Sequence, residues 1–367
     1  MINKKQLLKT FLDLVKIDSP SGNEKKVATF IISYLKKLKI KASRDKYGNV
    51  TVFIPAPKIS KGKKMEPLML AAHMDTVQPG VGIKPVVKND TIKSKSDTIL
   101  GADNKVAIAV ILEVVKYYSK KKNMCHRPLE LVFTREEEIG CIGAQKLDYR
   151  KIKSKECLVM DSCRPLGNIT IAAPFIYVID IEVKGRASHA GSFPEKGVNA
   201  IHIASKAIAD LKIGRINKTT TCNIGLIEGG EAMNSVPERV LLRGDARSLK
   251  LENAQKQVDI INKSFKKYVR LAKGKLKFKT KLACSGFDYK RSDPMIKKIV
   301  SLNKQLRFKT NYEKSGGATD ANIFAGHGIK AIDISYGGKH PHSTKETIKI
   351  SELSKLSEFL VEFIYKQ

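Results

Sequence analysis

Apolar and polar residues follow two different periods along the first half of the chain. In some segments apolar side chains recur at helical spacing, and in others they form short unbroken runs, which are typical of strands buried on both faces. The pattern predicts helices over 4–16, 24–38 and 103–118, strands over 49–54, 67–72, 129–133 and 157–160, and a polar loop over 55–64. Because strands and helices alternate along the chain, the predicted fold class is α/β, with a mixed, mostly parallel sheet flanked by helices.

The pattern changes after Asp161. Apolar and polar residues then alternate as in half-exposed strands, with two amphipathic helices between them: the predicted strands are 175–183, 219–227 and 239–246, and the helices are 199–211 and 251–268. Two helices on one antiparallel sheet form a compact α+β unit. The α/β pattern returns near residue 287 and ends in a helix over 350–365. We therefore predict a split α/β domain, 1–172 and 286–367, that carries an inserted α+β domain, 173–285.

The charge of the chain is strongly positive. Its 367 residues carry a net charge of +32, from 68 Lys and Arg against 36 Asp and Glu. Such a balance is typical of proteins that bind nucleic acid when the lysines form a patch or a known motif. Here the lysines are spread over the whole length, without interleaved aromatic residues, zinc-finger spacing or a helix-turn-helix pattern. We therefore predict no nucleic-acid partner and a solvated basic surface that steers anionic substrates.

Signals for export and for membrane insertion are missing. The first segment is an amphipathic helix with Lys9, Asp13 and Lys16 among its apolar residues, unlike a signal peptide. The longest apolar run, 106–115, is too short to span a bilayer and contains Glu113. The six cysteines are scattered without a CxxC pair, as expected of free thiols in a reducing compartment. We expect a cytoplasmic protein with no membrane partner.

Ionisable side chains follow each predicted buried strand. They are His73 and Asp75 after the strand over 67–72, Glu136, Glu137 and Glu138 after the strand over 129–133, Asp161 after the strand over 157–160, and Asp103 at the start of the long helix. In an open α/β sheet, ligands bind outside the carboxyl ends of the strands. Taken singly, each residue is ordinary: a structural histidine, a helix cap or a solvated turn. Their joint placement predicts one acidic crevice.

An acidic crevice of this kind needs a cation, because like charges a few ångströms apart cannot all stay ionised. An imidazole with several carboxylates suits zinc, with manganese or cobalt as replacements. The number of carboxylates favours two metals that share a bridging ligand, which is a common hydrolytic arrangement. A later loop offers a further imidazole, at His340 or His342, and spacing alone does not choose between them.

At this point a family resemblance becomes specific. Five motifs, in the same order, resemble the signature of the aminoacylase/carboxypeptidase/peptidase T superfamily of co-catalytic zinc exopeptidases. They are Ala72-His73-Met74-Asp75-Thr76-Val77, Gly101-Ala102-Asp103-Asn104-Lys105, Glu137-Glu138-Ile139-Gly140, Met160-Asp161 and Gly316-Gly317-Ala318-Thr319-Asp320. The resemblance covers nearly the whole chain, and within the superfamily the chain resembles the peptidase T-like branch, the tripeptide aminopeptidases.

The resemblance implies a metal-ligand set. One zinc would be bound by His73 and Asp161, the other by Glu138 and His342, and Asp103 would bridge the two. His342 is implied because it matches the His-Ser/Thr-x-x-Glu ending of the family.

The resemblance also implies two residues that act on the ligands and the water. Asp75 would orient the imidazole of His73. Glu137 would be the general base that activates the metal-bridging water and then protonates the leaving amine. Because Glu136 precedes these two glutamates, the match to the family motif could shift by one residue. Such a shift would reassign the roles of both Glu137 and Glu138.

The inserted domain resembles the lid and dimerisation domain of the same family. His189, in Ala187-Ser188-His189-Ala190-Gly191, resembles an imidazole that crosses to the partner subunit's site and stabilises the oxyanion. Asn234 and Arg247 resemble substrate-binding positions, and a guanidinium can hold a carboxylate at two points. Arg247 is equally well interpreted as a surface residue at a strand end. The resemblance implies a homodimer.

Together, the residues and the resemblance predict a metallopeptidase with two Zn²⁺ per subunit that removes the N-terminal residue of short peptides such as tripeptides. Two alternatives stay open. The same ligands would serve an N-acyl-amino-acid deacylase or a carboxypeptidase, because one scaffold hosts several amide substrates. A binding or regulatory protein on a degenerate scaffold would have lost a ligand or the base, whereas every matched position here holds a competent residue.

Overall fold

The computed structural model describes residues 2–57, 65–121 and 124–365. Contacts divide the chain into two compact units. Unit 1 comprises Met1–Ile171, Tyr289–Lys314 and Thr319–Gln367, and unit 2 comprises Ala172–Asp288 and Ser315–Ala318. Most of the loop predicted over 55–64 lies outside the described residues.

The helices have the following bounds in chain order: α1 (Lys4–Val15), α2 (Lys25–Lys37), α3 (Ala102–Lys120), α4 (Ile142–Gln145), α5 (Ala200–Ala209), α6 (Leu251–Leu271), α7 (Pro294–Gln305), α8 (Asp320–Gly326) and α9 (Ile350–Ile364). The strands are β1 (Ala42–Arg44), β2 (Val50–Ile54), β3 (Leu68–His73), β4 (Pro85–Lys88), β5 (Thr91–Ser94), β6 (Leu129–Thr134), β7 (Glu156–Ser162), β8 (Asn168–Ala173), β9 (Phe175–Lys184), β10 (Gly214–Asn217), β11 (Thr220–Gly229), β12 (Arg239–Ser248), β13 (Lys275–Cys284), β14 (Phe287–Asp288), β15 (Asn311–Lys314), β16 (Lys330–Ser335) and β17 (Thr347–Lys349).

The main sheet of unit 1 is mixed and parallel at its centre. Its strands lie in the order β1-β2-β6-β3-β7-β16-β8. The central strands β6, β3, β7 and β16 run parallel, whereas β2 and β8 flank them antiparallel. His73 pairs with Thr134, and Ser162 pairs with Ser335, so the carboxyl ends of the central strands meet at one edge. This register brings the residues that follow these strands to one place.

Helix α3 lies at the centre of the apolar core. It contacts α1, α9 and β3, and its residues from Val106 to Leu112 are fully buried. A helix that is apolar all round is stable only inside a protein, because each buried Val, Leu or Ile side chain contributes about 1.5–3 kcal/mol relative to exposure. Within the described residues, no helix is long and apolar enough to cross a membrane.

Unit 1 also holds a small sheet that the hydrophobic pattern does not predict. Its strands lie in the order β17-β5-β4. Ile92 of β5 pairs with Ile348 of β17, and both are almost fully buried. All three strands are short, and only β5 and β17 contain a buried isoleucine, so the periodicity is too weak to detect.

Unit 2 is an α+β unit, as the inserted domain was predicted to be. Its antiparallel sheet has the order β10-β11-β12-β9-β13, and α5 and α6 pack with it around one core. The strand β13 was not predicted, although its alternating lysines are typical of a half-exposed strand. Contacts also group Ser315–Ala318 with this unit, and the Ser315 N–H donates to the Ala172 carbonyl at 2.7 Å.

Candidate metal centre and active site

His73 is the last residue of β3, and its imidazole is buried at the carboxyl edge of the sheet. The Nδ1 atom lies 3.0 Å from the Asp75 carbonyl oxygen, and Nε2 lies 3.2 Å from Asp103 Oδ1 and 3.3 Å from Asp161 Oδ1. The imidazole is therefore held on one side by the Asp75 backbone and faces two carboxylates on the other.

The buried carboxylate of Asp75 holds three chain segments together. It accepts hydrogen bonds from the Ser21 hydroxyl at 2.7 Å and from the backbone N–H groups of Glu137 and Glu138 at 3.0 and 3.2 Å. Its Oδ1 also lies 3.3 Å from His73 Nδ1. The Asp75 carboxylate therefore lies next to Nδ1 of the His73 imidazole and binds the backbone of Glu137 and Glu138.

Two groups of three possible metal ligands share one aspartate. The first group is His73, Asp103 and Asp161, and the second is Asp103, Glu138 and His342. In each group the ligand atoms lie within 4.8 Å of one another. In the second group His342 Nε2 lies 3.1 Å from Glu138 Oε2 and 3.5 Å from Asp103 Oδ2.

The structure also separates the three glutamates of the triplet. Glu136 turns away from the metal-ligand groups, because its carboxylate pairs with Arg135 at 3.3 Å and accepts the hydroxyl of Tyr47. Glu138 joins the second group. Glu137 interacts electrostatically with members of both groups, His73 and Asp161 in the first and Glu138 in the second, and it forms a further group with Cys141 and Asp320. Among the two histidines of the late loop, it is His342 and not His340 that belongs to a ligand group of the described residues.

Carboxyl groups outnumber the cationic groups in this buried cluster, and burial together with neighbouring charges shifts the pKa values of some of them. Burial raises the pKa of Asp161 to about 7, with His73 opposing this effect and Asp103 adding to it. Burial and then the Asp161 carboxylate raise the pKa of Glu137 well above its usual value. Carboxyl groups in such surroundings shift their pKa, or become ionised beside a cation.

The donor set fits two divalent cations. Glu138 Oε1 is buried without a hydrogen-bond partner among the described residues, as expected of an oxygen that faces a metal. Imidazole nitrogen and carboxylate oxygen are ligands that zinc and similar metals accept. Because Asp103 has one oxygen toward each group, it is placed to contact both cations.

Several supporting residues had no predicted role. Asn104 donates to Asp161 Oδ1, and Asp333 Oδ1 accepts the Asp161 N–H at 2.9 Å. Glu346 accepts the N–H groups of Leu100 and Asp103 at 2.8 and 3.0 Å. Asp333 lies within an apolar run and gives no separate signal, whereas Glu346 ends the late histidine motif quoted above.

The predicted residues of the inserted domain all lie in unit 2. His189 and Asn234 are close together, since Ser235 forms a bridge with His189 and the Asn234 carbonyl accepts the Ala190 N–H at 2.9 Å. Arg247 lies near the other end of β12, roughly 25 Å along the strand from the end nearer Asn234. Its guanidinium pairs with Asp245 at 2.8 Å.

Two family descriptions match separate parts of the chain. Peptidase family M28 matches residues 56–170, which include four of the possible metal ligands, His73, Asp103, Glu138 and Asp161. The peptidase dimerisation domain of the M20 family matches residues 178–272, which lie in unit 2.

Three proteins are similar over nearly their whole length. The uncharacterized protein YqjE of Bacillus subtilis is 35% identical over 367 residues, which is 99% of each chain. The crystal structure of aminopeptidase PepT from Bacillus cereus is 34% identical with a TM-score of 0.89, and that of a tripeptidase from Staphylococcus aureus is 32% identical with a TM-score of 0.91. Both structures match 99% of this chain and 98% of their own. The chain belongs to the peptidase T-like branch of the M20 metallopeptidases.

Membership of the M20 family places this chain among metal-dependent exopeptidases. In this M20 peptidase four members of the two candidate ligand groups come from the five motifs that carried the resemblance, and the fifth is His342 of the late loop.

Proposed function

We propose that this M20 peptidase is a two-metal aminopeptidase that releases the N-terminal residue of tripeptides. The observation that carries the proposal is the pair of ligand groups sharing Asp103, with Glu137 buried beside them. The printed names of two similar structures, an aminopeptidase and a tripeptidase, favour this substrate over others on the same scaffold.

The proposal assigns the residues that hold the metals. His73, Asp161 and Asp103 would hold one Zn²⁺, and Asp103, Glu138 and His342 the other, with Mn²⁺ or Co²⁺ as replacements. When bound, such a pair polarises the scissile carbonyl and makes water a better nucleophile at neutral pH.

Asp75 would fix the direction of the His73 imidazole. It lies behind the ring on the side away from Asp103, so Nε2 stays directed at the metal position. The same carboxylate binds the N–H groups of Glu137 and Glu138. The buried Asp75 carboxylate would therefore position the His73 imidazole, the base Glu137 and the metal ligand Glu138.

Glu137 would act as the general base and acid. Its carboxylate would take a proton from the attacking water and hold it until the peptide C–N bond breaks. It would then give that proton to the leaving amine. A carboxyl group whose pKa is raised by burial is better matched to both transfers near neutral pH than an exposed one.

The proposal assigns 173–285 as the lid and dimerisation domain of a homodimer, and 1–172 with 286–367 as the catalytic domain. It is supported by the match of the dimerisation-domain family to residues 178–272. His189 would stabilise the oxyanion, and Asn234 and Arg247 would bind the peptide, in keeping with the resemblance stated above.

The test is hydrolysis of a substrate panel with metal content measured on the same samples. The panel contains free tripeptides, dipeptides, N-acetylated amino acids and N-blocked peptides, each with added zinc or with chelator. We expect release of the N-terminal residue from tripeptides and loss of this activity with chelator. Cleavage confined to acylated substrates would instead identify a deacylase, and release of C-terminal residues a carboxypeptidase.

Two glutamine variants test the assignment of the base. Glu137→Gln should lower kcat by about 10²–10⁴-fold with both metals retained, because the proton acceptor is lost. Glu136→Gln is the matched control in the same triplet and should keep kcat within about tenfold, because its carboxylate contacts Arg135 and Tyr47. The reverse order of effects would reassign the base by one residue.

A further inference from the structure

The buried group behind Glu137 contains a cysteine. Cys141 Sγ lies 3.4 Å from Glu137 Oε1, in the geometry of a thiol donating to a carboxylate. The backbone closes the same turn, because the Cys141 N–H donates to the Glu137 carbonyl at 2.8 Å. Both side chains are at least nine-tenths buried, so water does not replace this contact.

The backbone of Cys141 supports a role for its side chain. Its φ is 55° and its ψ is 36°, in the left-handed region that residues with a Cβ seldom adopt. Glycine would occupy this position without strain. A side chain kept at a strained position beside a functional group points to a functional constraint.

Asp320 is the third member of this buried group. It is the first residue of α8, is 2% exposed and accepts a hydrogen bond from the Thr134 hydroxyl at the end of β6. One oxygen of Asp320, one oxygen of Glu137 and the Cys141 sulfur lie within 4.8 Å of one another. The motif Thr319-Asp320 was noted in the sequence without a role, and this contact gives it one.

We propose that Cys141, backed by Asp320, is a positioning residue that holds one carboxylate oxygen of Glu137 and leaves the other for proton transfer. The inference rests on the proposed role of Glu137 as the base. A buried cysteine is ordinarily a small apolar side chain. Here the sulfur lies 3.4 Å from Glu137 Oε1 and within 4.8 Å of an Asp320 oxygen. A carboxylate free to rotate would spend less time in the reactive orientation.

The first arm of the test is kinetic. Cys141→Ala removes the donor and Cys141→Ser keeps one, and both variants have the same left-handed backbone, so their difference reports the hydrogen bond. With the tripeptide that the wild type cleaves fastest, we expect Cys141→Ala to lower kcat roughly tenfold with KM within about twofold. Cys141→Ser should recover kcat to within about threefold of the wild type, and metal content should be equal in all three.

Cys222→Ala is the matched control. Cys222 is also buried and its sulfur also lies 3.4 Å from an acceptor, the Lys212 carbonyl, but it belongs to the core of unit 2. We expect its kcat to stay within about twofold of the wild type. An equal fall in Cys222→Ala, an unchanged kcat in Cys141→Ala, or equal impairment of Cys141→Ser would overturn the proposal.

The second arm does not depend on activity. The infrared S–H stretching band of Cys141 is identified as the band that Cys141→Ala lacks. It should shift in Glu137→Gln, which replaces the acceptor, and stay in place in Glu136→Gln. An unshifted band overturns the contact even if the enzyme is active. If the wild type cleaves nothing in the panel, the proposed function fails, while this band still decides whether Cys141 binds Glu137.

Discussion

The Glu346 carboxylate accepts a hydrogen bond from the backbone N–H of Asp103 at 3.0 Å, although 243 residues separate the two in sequence. Its other oxygen accepts the N–H groups of Leu100 and Gly101 at 2.8 and 2.7 Å. Glu346 is 1% exposed, so these bonds are not exchanged for water. The residue shared by the two ligand groups is therefore held in place by a carboxylate from the late loop.

Replacing Glu346 should loosen the metal centre without removing a ligand. Glu346→Ala leaves three buried N–H groups without an acceptor, and each such group costs about 1–3 kcal/mol. Loss of a residue that holds a ligand typically lowers metal affinity about 10–100-fold. We expect a fall of this size in zinc affinity, measured by competition with a chromophoric chelator. Glu66→Ala, at an exposed glutamate, is the control. Unchanged zinc affinity in Glu346→Ala would contradict this role.

The shared position of Asp103 makes a prediction about metal stoichiometry. Asp103→Ala removes an oxygen from each of the two ligand groups, whereas His342→Ala removes a nitrogen from only one. After dialysis against trace zinc, we expect the wild type to retain about two metals per chain, His342→Ala about one, and Asp103→Ala close to none. Atomic emission on protein of known concentration measures the ratio. Equal losses in the two variants would show that Asp103 does not bridge.

The sequence could predict His73 and Asp161 as candidate ligands because each lies at the end of a strongly patterned strand. His73 and Asp161 follow continuous apolar runs, and parallel strands bring such ends together. The roles within the triplet were ambiguous by one residue, because the contacts of Glu136 with Arg135 and Tyr47 decide which glutamates join the candidate ligand groups. Tyr47 is distant from the triplet in sequence, so the periodicity of the hydrophobic pattern does not reveal this contact.

The supporting residues were harder to predict for the same reason. Cys141 looks like an ordinary buried cysteine, and Asp333 is hidden in an apolar run. Their partners, Glu137 and Asp161, become neighbours only through the turn after β6 and the pairing of β16 with β7. Long-range contacts of this kind leave little trace in a single sequence.

Breaking the ion pair between Glu24 and Arg135 should destabilise the folded protein strongly. Glu24 is fully buried, and its carboxylate accepts Arg135 Nε at 2.6 Å and the N–H groups of Gly22 and Glu136. Removing one partner of a buried pair typically costs about 3–5 kcal/mol, because the other charge stays buried. We expect Arg135→Ala to lower the free energy of unfolding by about this amount in urea titrations.

An exposed pair provides the comparison for this experiment. Lys9 and Asp13 lie 2.6 Å apart on the surface of α1. Exposed pairs contribute roughly 0–1 kcal/mol, so Lys9→Ala should change the free energy of unfolding by no more than that. If Lys9→Ala and Arg135→Ala lowered the free energy of unfolding by similar amounts, burial of the Glu24–Arg135 pair would not make its disruption more costly.

His126 should make the stability of the protein fall at mildly acidic pH. Burial lowers the pKa of His126, against the opposing effect of the hydrogen bond with the Arg127 carbonyl. As pH falls below the unfolded value of about 6.5, the unfolded chain therefore binds a proton at this residue before the folded chain does. The stabilisation is present above that pH and is lost as the pH falls toward the lower folded pKa.

A substitution isolates the contribution of His126 from that of the other ionisable groups, including those of the candidate metal centre. We expect His126→Gln to lose less stability than the wild type between pH 7.5 and pH 5.5, with both proteins stripped of metal by chelator. The measured quantity is the difference in unfolding free energy between the two proteins at each pH. That difference should shrink as the pH falls, since only the wild type takes up the extra proton on unfolding. A difference that stays constant across this interval would show that His126 titrates alike in the folded and unfolded chains.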